Sequence, residues 1–276
     1  MLNPLKSAAA LVDTRSRVTL ALLMVTLAFA GISVSVAENE NQSQQLGQPP
    51  TDAVVAPPPV TPGRPHASSA DPHQQLPPEK LLQVALRHKQ EGRPHEALST
   101  LSMAIARYPD NAQLYSVRGS LYLEQRRFSV ALQDLERSLA LEPDDPAALT
   151  NRAQAYRQFG RGKEAMRDLD RAVALNPDLI PALFNRGALR YSQGDLAGAR
   201  EDFDRCIAVD PHMPAPYFNR AAILDSLGDR PAAVADIERF IQIAGNDAWK
   251  KQAEDLLKFW AENPPVEQNN AAQSAQ

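Results

Sequence analysis

The 276-residue chain is short of several things, and each shortage narrows what it does. A single cysteine, Cys206, excludes a disulfide framework and any zinc site built from several cysteines. There is no surplus of positive charge. The 29 Lys and Arg stand against 33 Asp and Glu, which argues against wholesale binding of nucleic-acid phosphates. Aromatic residues make up only 6%, too few to stack a polysaccharide along a groove. The five histidines are scattered: His66 and His73 lie in a proline-rich stretch, and His88, His95 and His212 stand far apart. No His-x-x-x-His pair, G-x-S-x-G elbow, P-loop or dinucleotide fingerprint occurs. The sequence thus predicts no catalytic residues, no metal site and no cofactor.

Proline, by contrast, is abundant, with 23 residues. Ten of them fall within 38–77 and at Pro78, a segment that also holds Gln, Asn and Ser and no aromatic residue. Such a composition cannot bury enough apolar surface to offset its ordering entropy. It predicts a disordered, semi-rigid spacer over 38–77. The tail 263–276 has a similarly unstructured composition. Ahead of the spacer, Lys6, Arg15 and Arg17 precede an uncharged run from Val18 to Val36, followed by Ala37 and Glu38. Small residues at Ser35 and Ala37 fit a secretory signal cleaved after Ala37. The alternative is a retained membrane anchor, since 19 uncharged residues just span a bilayer. Either reading predicts export, to the periplasm or to the outer side of the inner membrane. Membrane contact is expected only through an uncleaved N-terminal segment. Loss of residues 1–37 would leave 26 basic against 32 acidic residues, a still more acidic protein.

Beyond the spacer the prolines become regular: Pro109, Pro143, Pro177 and Pro211 recur every 34 residues. That ruler divides the chain into blocks 78–111, 112–145, 146–179, 180–213 and 214–247. Ala97, Ala131, Ala165, Ala199 and Ala233 share one column, and Leu101, Leu135, Leu169, Phe203 and Ile237 another. A third column, Ala85, Gly119, Ala153, Gly187 and Ala221, holds only small residues. The turn column reads Gly92, Arg126, Gly160, Gly194 and Gly228. Apolar residues at three- and four-residue spacing predict two amphipathic helices per block. Pro94, Pro146, Pro181, Pro214 and Pro231 suit first helical turns.

The pattern Tyr115…Gly119-x2-Tyr122…Ala131-x3-Leu135…Pro143 resembles the tetratricopeptide repeat. The resemblance covers 78–247 in five registers and implies an all-α, right-handed solenoid of helix-turn-helix repeats. Trp249, Ala253, Leu256, Leu257 and Trp260 form one stripe, predicting a capping helix over 248–262 within a domain of 78–262.

The family resemblance also implies a concave face lined by the first helix of each repeat, taking a protein or extended peptide of unidentified sequence. In the first two blocks the expected lining is Leu82, Leu86, Lys89, Ser120 and Leu123. In the last three it is Gln154, Arg157, Phe184, Tyr191, Phe218 and Asp225, with the aromatic residues as anchors. Asn151, Asn185 and Asn219 fit part of the family's carboxylate clamp, but Ser116, Thr150, Phe184 and Phe218 fill the positions where it has Lys. The resulting expectation is a non-enzymatic scaffold or adaptor in the cell envelope. The alternatives are a polysaccharide- or nucleic-acid-binding solenoid, or a regulatory subunit of an envelope assembly or secretion machine.

Two charged columns stand out. Arg118, Arg152, Arg186 and Arg220 each precede an aspartate by 16 residues: Asp134, Asp168, Asp202 and Asp236. Block one lacks both, with Val84 and Thr100 instead. Their joint presence predicts an Arg–Asp clip inside each repeat rather than pairing to the preceding one. A ladder of ligand-binding charges is the functional alternative. A second charged run, Glu136-Arg137, Asp170-Arg171, Asp204-Arg205 and Glu238-Arg239, reads as solvated helix faces.

Overall fold

The computed structural model describes residues 76–264. The leader or anchor (1–37), the spacer up to residue 75 and the tail from 265 onward lie outside the described residues. The described chain is helical throughout. Five helix pairs follow one another: α1 (Pro78–Gln90) and α2 (Pro94–Arg107), α3 (Ala112–Glu124) and α4 (Phe128–Leu141), α5 (Pro146–Gln158) and α6 (Gly162–Leu175), α7 (Ile180–Ser192) and α8 (Leu196–Val209), α9 (Pro214–Ser226) and α10 (Arg230–Ile243). A final helix, α11 (Asp247–Glu262), closes the array. None of the described helices is long and apolar enough to cross a membrane.

Local chemistry sets the helix ends. Asn111, Asp145, Asp195, Asp229 and Asn246 each accept a hydrogen bond from a backbone N–H of the first turn that follows. Pro78, Pro94, Pro146 and Pro214 open α1, α2, α5 and α9, where a missing N–H costs nothing. Pro109, Pro143, Pro177 and Pro211 each stand one residue past a C-cap, in the loop between repeats. Within each repeat the turn column adopts a left-handed backbone. Glycine supplies it in four repeats, and Arg126 supplies it in the second at φ 59°.

The regular spacing of small and large columns fills the seam between paired helices. The five alanines from Ala97 to Ala233 are completely buried, and Leu101, Leu135, Leu169, Phe203 and Ile237 are buried beside them. Each such large side chain removed from water stabilises by roughly 1.5–3 kcal/mol. The small column lets the helices approach. A Cβ at Gly119 would lie 2.8 Å from Leu135 Cγ, and one at Gly187 would lie 3.1 Å from Phe203 Cζ. Over the fifth repeat, Ala253 and Trp260 of α11 are buried, with Trp249, Leu256 and Leu257 packed around them.

Curvature follows from which helices touch. The first helices of successive repeats pack on one another in the pairs α3–α5, α5–α7 and α7–α9. Successive second helices make no comparable contact. The first helices therefore lie on the inside of the bend and the second helices on the outside, as in an α-solenoid.

Candidate functional site

On the inner face, the residues expected to line the groove divide into two classes. Leu82, Ser116, Thr150, Phe184 and Phe218 share one column, and all five are buried. Phe184 packs edge-on against Phe203 at 5.6 Å between ring centres, and Phe218 packs on Phe240 at 5.2 Å. This corrects the sequence expectation that Phe184 and Phe218 are exposed anchors. Their column borders the seam between helices, and a ring gains more by entering that seam than by standing in water. Leu82 and Leu123 belong to the core for the same reason.

The accessible inner face is built from the next two columns. Leu86 and Lys89 are exposed in α1, and Ser120 is half-buried in α3, its hydroxyl donating to the Val117 carbonyl at 2.8 Å. Gln154 and Arg157 in α5, Ala188 and Tyr191 in α7, and Asp225 in α9 are half-buried. Three charges mark this face and they are treated differently. Lys89 Nζ donates to Glu124 across the first repeat boundary at 2.5 Å. Asp225 accepts from Arg230. Arg157 Nη1 donates at 3.1 Å to Asn185 Oδ1, a neutral group, and Asn185 is itself held by its Nδ2 donating to the Pro181 carbonyl at 2.8 Å. Burial pulls the Arg157 guanidinium below its ordinary pKa.

Between the paired helices runs a ladder of arginines. Arg118 donates to both oxygens of Asp134 at 2.7 Å, and Arg152 to those of Asp168 at 2.7 and 2.8 Å. Arg186 pairs with Asp202 through Nε and Nη2, and Arg220 with Asp236 at 2.7 Å twice. Each arginine thus grips the aspartate of its own repeat in the two-pronged geometry a guanidinium favours. Asp202, only 2% exposed, also accepts from Arg190 at 3.0 Å. The Arg220 pKa is raised chiefly by the Asp236 hydrogen bonds, against an opposing effect of burial.

The ladder also crosses repeat boundaries. The third nitrogen, Nη1, reaches back to the preceding second helix: Arg118 to Ser102 at 3.2 Å, Arg186 to Asp170 at 3.1 Å, and Arg220 to Asp204 at 2.6 Å. Arg137, Arg171 and Arg205 on the second helices hold the loops entering their own repeats: Arg137 bonds Asp110, Arg171 bonds Asp144 and Arg205 forms an ion pair with Asp178. The second charged run is therefore not simply a solvated face, and much of it links one repeat to the next. The signal was in the spacing, because Ser102, Asp170 and Asp204 precede their arginines by the same 16 residues that separate arginine from own-repeat aspartate.

A cavity of about 490 Å³ lies between repeats two and three against Leu139, Pro143, Arg152 and Tyr156. Of its charged wall groups, Arg152 pairs with Asp168, Arg171 with Asp144 and Glu164 with Arg161. Cys206 is fully buried with its Sγ 3.9 Å from the Ile180 carbonyl, and burial pushes its thiol up to about 12. Among the described residues no group of His, Cys, Asp or Glu is clustered to hold a metal ion.

Comparison with known proteins agrees with this geometry. Models of the tetratricopeptide repeat match residues 83–133, 119–179 and 163–214, so this stretch of the chain consists of tetratricopeptide repeats. No curated protein matches the chain. A thermophilic tetratricopeptide repeat protein from Thermus thermophilus superposes with a TM-score of 0.55 at 18% identity, over 66% of this chain and 100% of its own. PilW, a type IV pilus biogenesis factor, gives 0.55 at 20% identity over 69% and 95% of the two chains. YrrB, described as having an unusual peptide-binding site, gives 0.51 at 19% identity over 63% and 90%. These neighbours share the fold.

Proposed function

We propose that this protein is a non-enzymatic adaptor of the cell envelope whose concave face takes an extended segment of a partner protein. The supporting observation is the asymmetry of packing: first helices converge, second helices diverge, and the converging side presents Gln154, Arg157, Ala188 and Tyr191 on adjacent turns of α5 and α7. A repeat scaffold of this kind is suited to protein–protein contact, because its inner surface is long, continuous and rigidly held. The acidic balance of the chain disfavours polyanions as partners. In this reading residues 1–37 direct export or anchor the chain, and the proline-rich spacer holds the array away from its point of attachment.

A photo-crosslinking amino acid separates the inner from the outer surface. Placed at Gln154 or Ala188, it should yield discrete adducts in intact cells. Placed at Gln133 or Glu201, exposed on second helices, it should yield none. Adducts confined to the outer positions would sink the proposal. N-terminal sequencing of protein recovered from envelope fractions addresses the leader. A start at Glu38 supports cleavage, an intact leader supports the anchor, and recovery from the cytosol alone overturns export.

A further inference from the structure

We infer that Arg157 is the specificity residue of the concave face, and that it takes the carboxylate of an internal Asp or Glu side chain in an extended partner segment. The inference rests on the groove reading above and goes beyond it by naming the chemistry recognised.

Arg157 carries a charge that the described chain does not match. A guanidinium carries five N–H donors and is strongest against a carboxylate. Every arginine of the helix-seam ladder has one, and so do Arg171, Arg205 and Arg230. On the concave face, Lys89 and Asp225 are also neutralised within the chain. Arg157 is half-buried, pays part of the desolvation of a cation, and among the described residues bonds one neutral oxygen, Asn185 Oδ1. Its equivalents in the neighbouring repeats are Leu123 and Tyr191, which bring no acid to it. Asn185 is pinned to Pro181, so Arg157 is positioned in advance rather than left to swing. The lowered Arg157 pKa is the expected signature of a cation removed from water without a counter-charge.

Position decides between an internal side chain and a chain terminus. Arg157 belongs to the third of five repeats, with accessible inner-face residues on both sides: Leu86, Lys89 and Ser120 toward one end, Ala188 and Tyr191 toward the other. A segment running through the groove uses all of them, whereas a terminus held at Arg157 would leave half the face empty. The column where the family's clamp has lysines is buried here and holds Ser116 and Thr150.

The test is a library of peptides, N-acetylated and C-amidated, with ten randomised positions, selected on the full chain and on its Arg157→Gln variant. The wild type should enrich Asp or Glu at one fixed position. Arg157→Gln should abolish that enrichment and weaken the best wild-type peptide at least tenfold. Changing the peptide's acid to its amide should weaken it equally, and the two changes together should weaken it no further. Thermal melting separates this role from a structural one, because removing an uncompensated cation should leave the melting temperature unchanged or raise it. Peptides that are enriched without acid preference, or that keep it with Arg157→Gln, overturn the role of Arg157 while leaving the groove intact. Binding that appears only when the library carries free C-termini overturns the internal carboxylate. No enrichment of any peptide overturns the groove reading together with this one.

Discussion

The first repeat and the fourth solve the same packing problem with opposite chemistry. In the first, the equivalent positions on α1 and α2 hold Val84 and Thr100, which need no counter-charge. In the fourth, Arg186 and Arg190 from α7 converge on Asp202 of α8, which is 2% exposed, and Arg186 also reaches Asp170 of the third repeat. The fold accepts either arrangement, so the ion pair is not required to form the hairpin. What the charged version adds is connection between repeats. A bidentate guanidinium has a third nitrogen left over, and its direction fixes how one repeat sits on the one before. Among the described residues no repeat precedes the first one to receive such a bond.

The most severe way to break this comparison is to remove Asp202 alone. Asp202→Ala leaves two arginines without their shared acceptor in a seam where one is 15% and the other 23% exposed. Partial access to water moderates the penalty, and the expected loss is about 2–4 kcal/mol, read from chemical denaturation. A loss below ~1 kcal/mol would mean that the ladder contributes geometry without stability.

A milder change converts one seam into the other. Arg152→Val with Asp168→Thr gives the third repeat the residues of the first, and Arg152 is the ladder member with no hydrogen bond to the preceding helix. Because desolvation offsets much of a buried pair's attraction, the double change should cost only about 1 kcal/mol. Asp168→Thr alone should cost more than the double, since it strands the arginine. If the two single changes simply add, the residues are not coupled and the clip is an accident of proximity.

Much of this organisation was legible in the sequence, because the repeat shows five versions of each position side by side. The helix pairs, the turn column and the own-repeat partners of Arg118, Arg152, Arg186 and Arg220 all follow from columns that vary together. What periodicity could not convey was direction within a helix face. Phe184 and Phe218 stand on the first helix at a spacing that fits the groove, yet a small rotation toward the seam buries them, and the energy of that rotation depends on Phe203 and Phe240 across the gap. The contact of Arg157 with Asn185 was equally hidden, since it occurs once and no column repeats it.

The smallest expected effects lie in the turns, where the second repeat departs from the others. Gly92, Gly160, Gly194 and Gly228 carry φ between 68° and 86°, and a Cβ at any of them would meet no atom within 4 Å. Substituting Gly160 by Ala therefore isolates the backbone cost of the left-handed conformation, about 1–2 kcal/mol, with no clash to confuse it. Arg126 already bears that cost at φ 59°. Arg126→Gly should recover part of it. The gain is capped at ~1 kcal/mol, because glycine loses more freedom on folding and the arginine side chain has contacts of its own. Paired melting curves of the two variants should move in opposite directions, Gly160→Ala downward and Arg126→Gly upward. A downward shift for Arg126→Gly would mean that its side chain contributes more than its backbone conformation costs, and that the second turn is held by contacts the glycine turns do without.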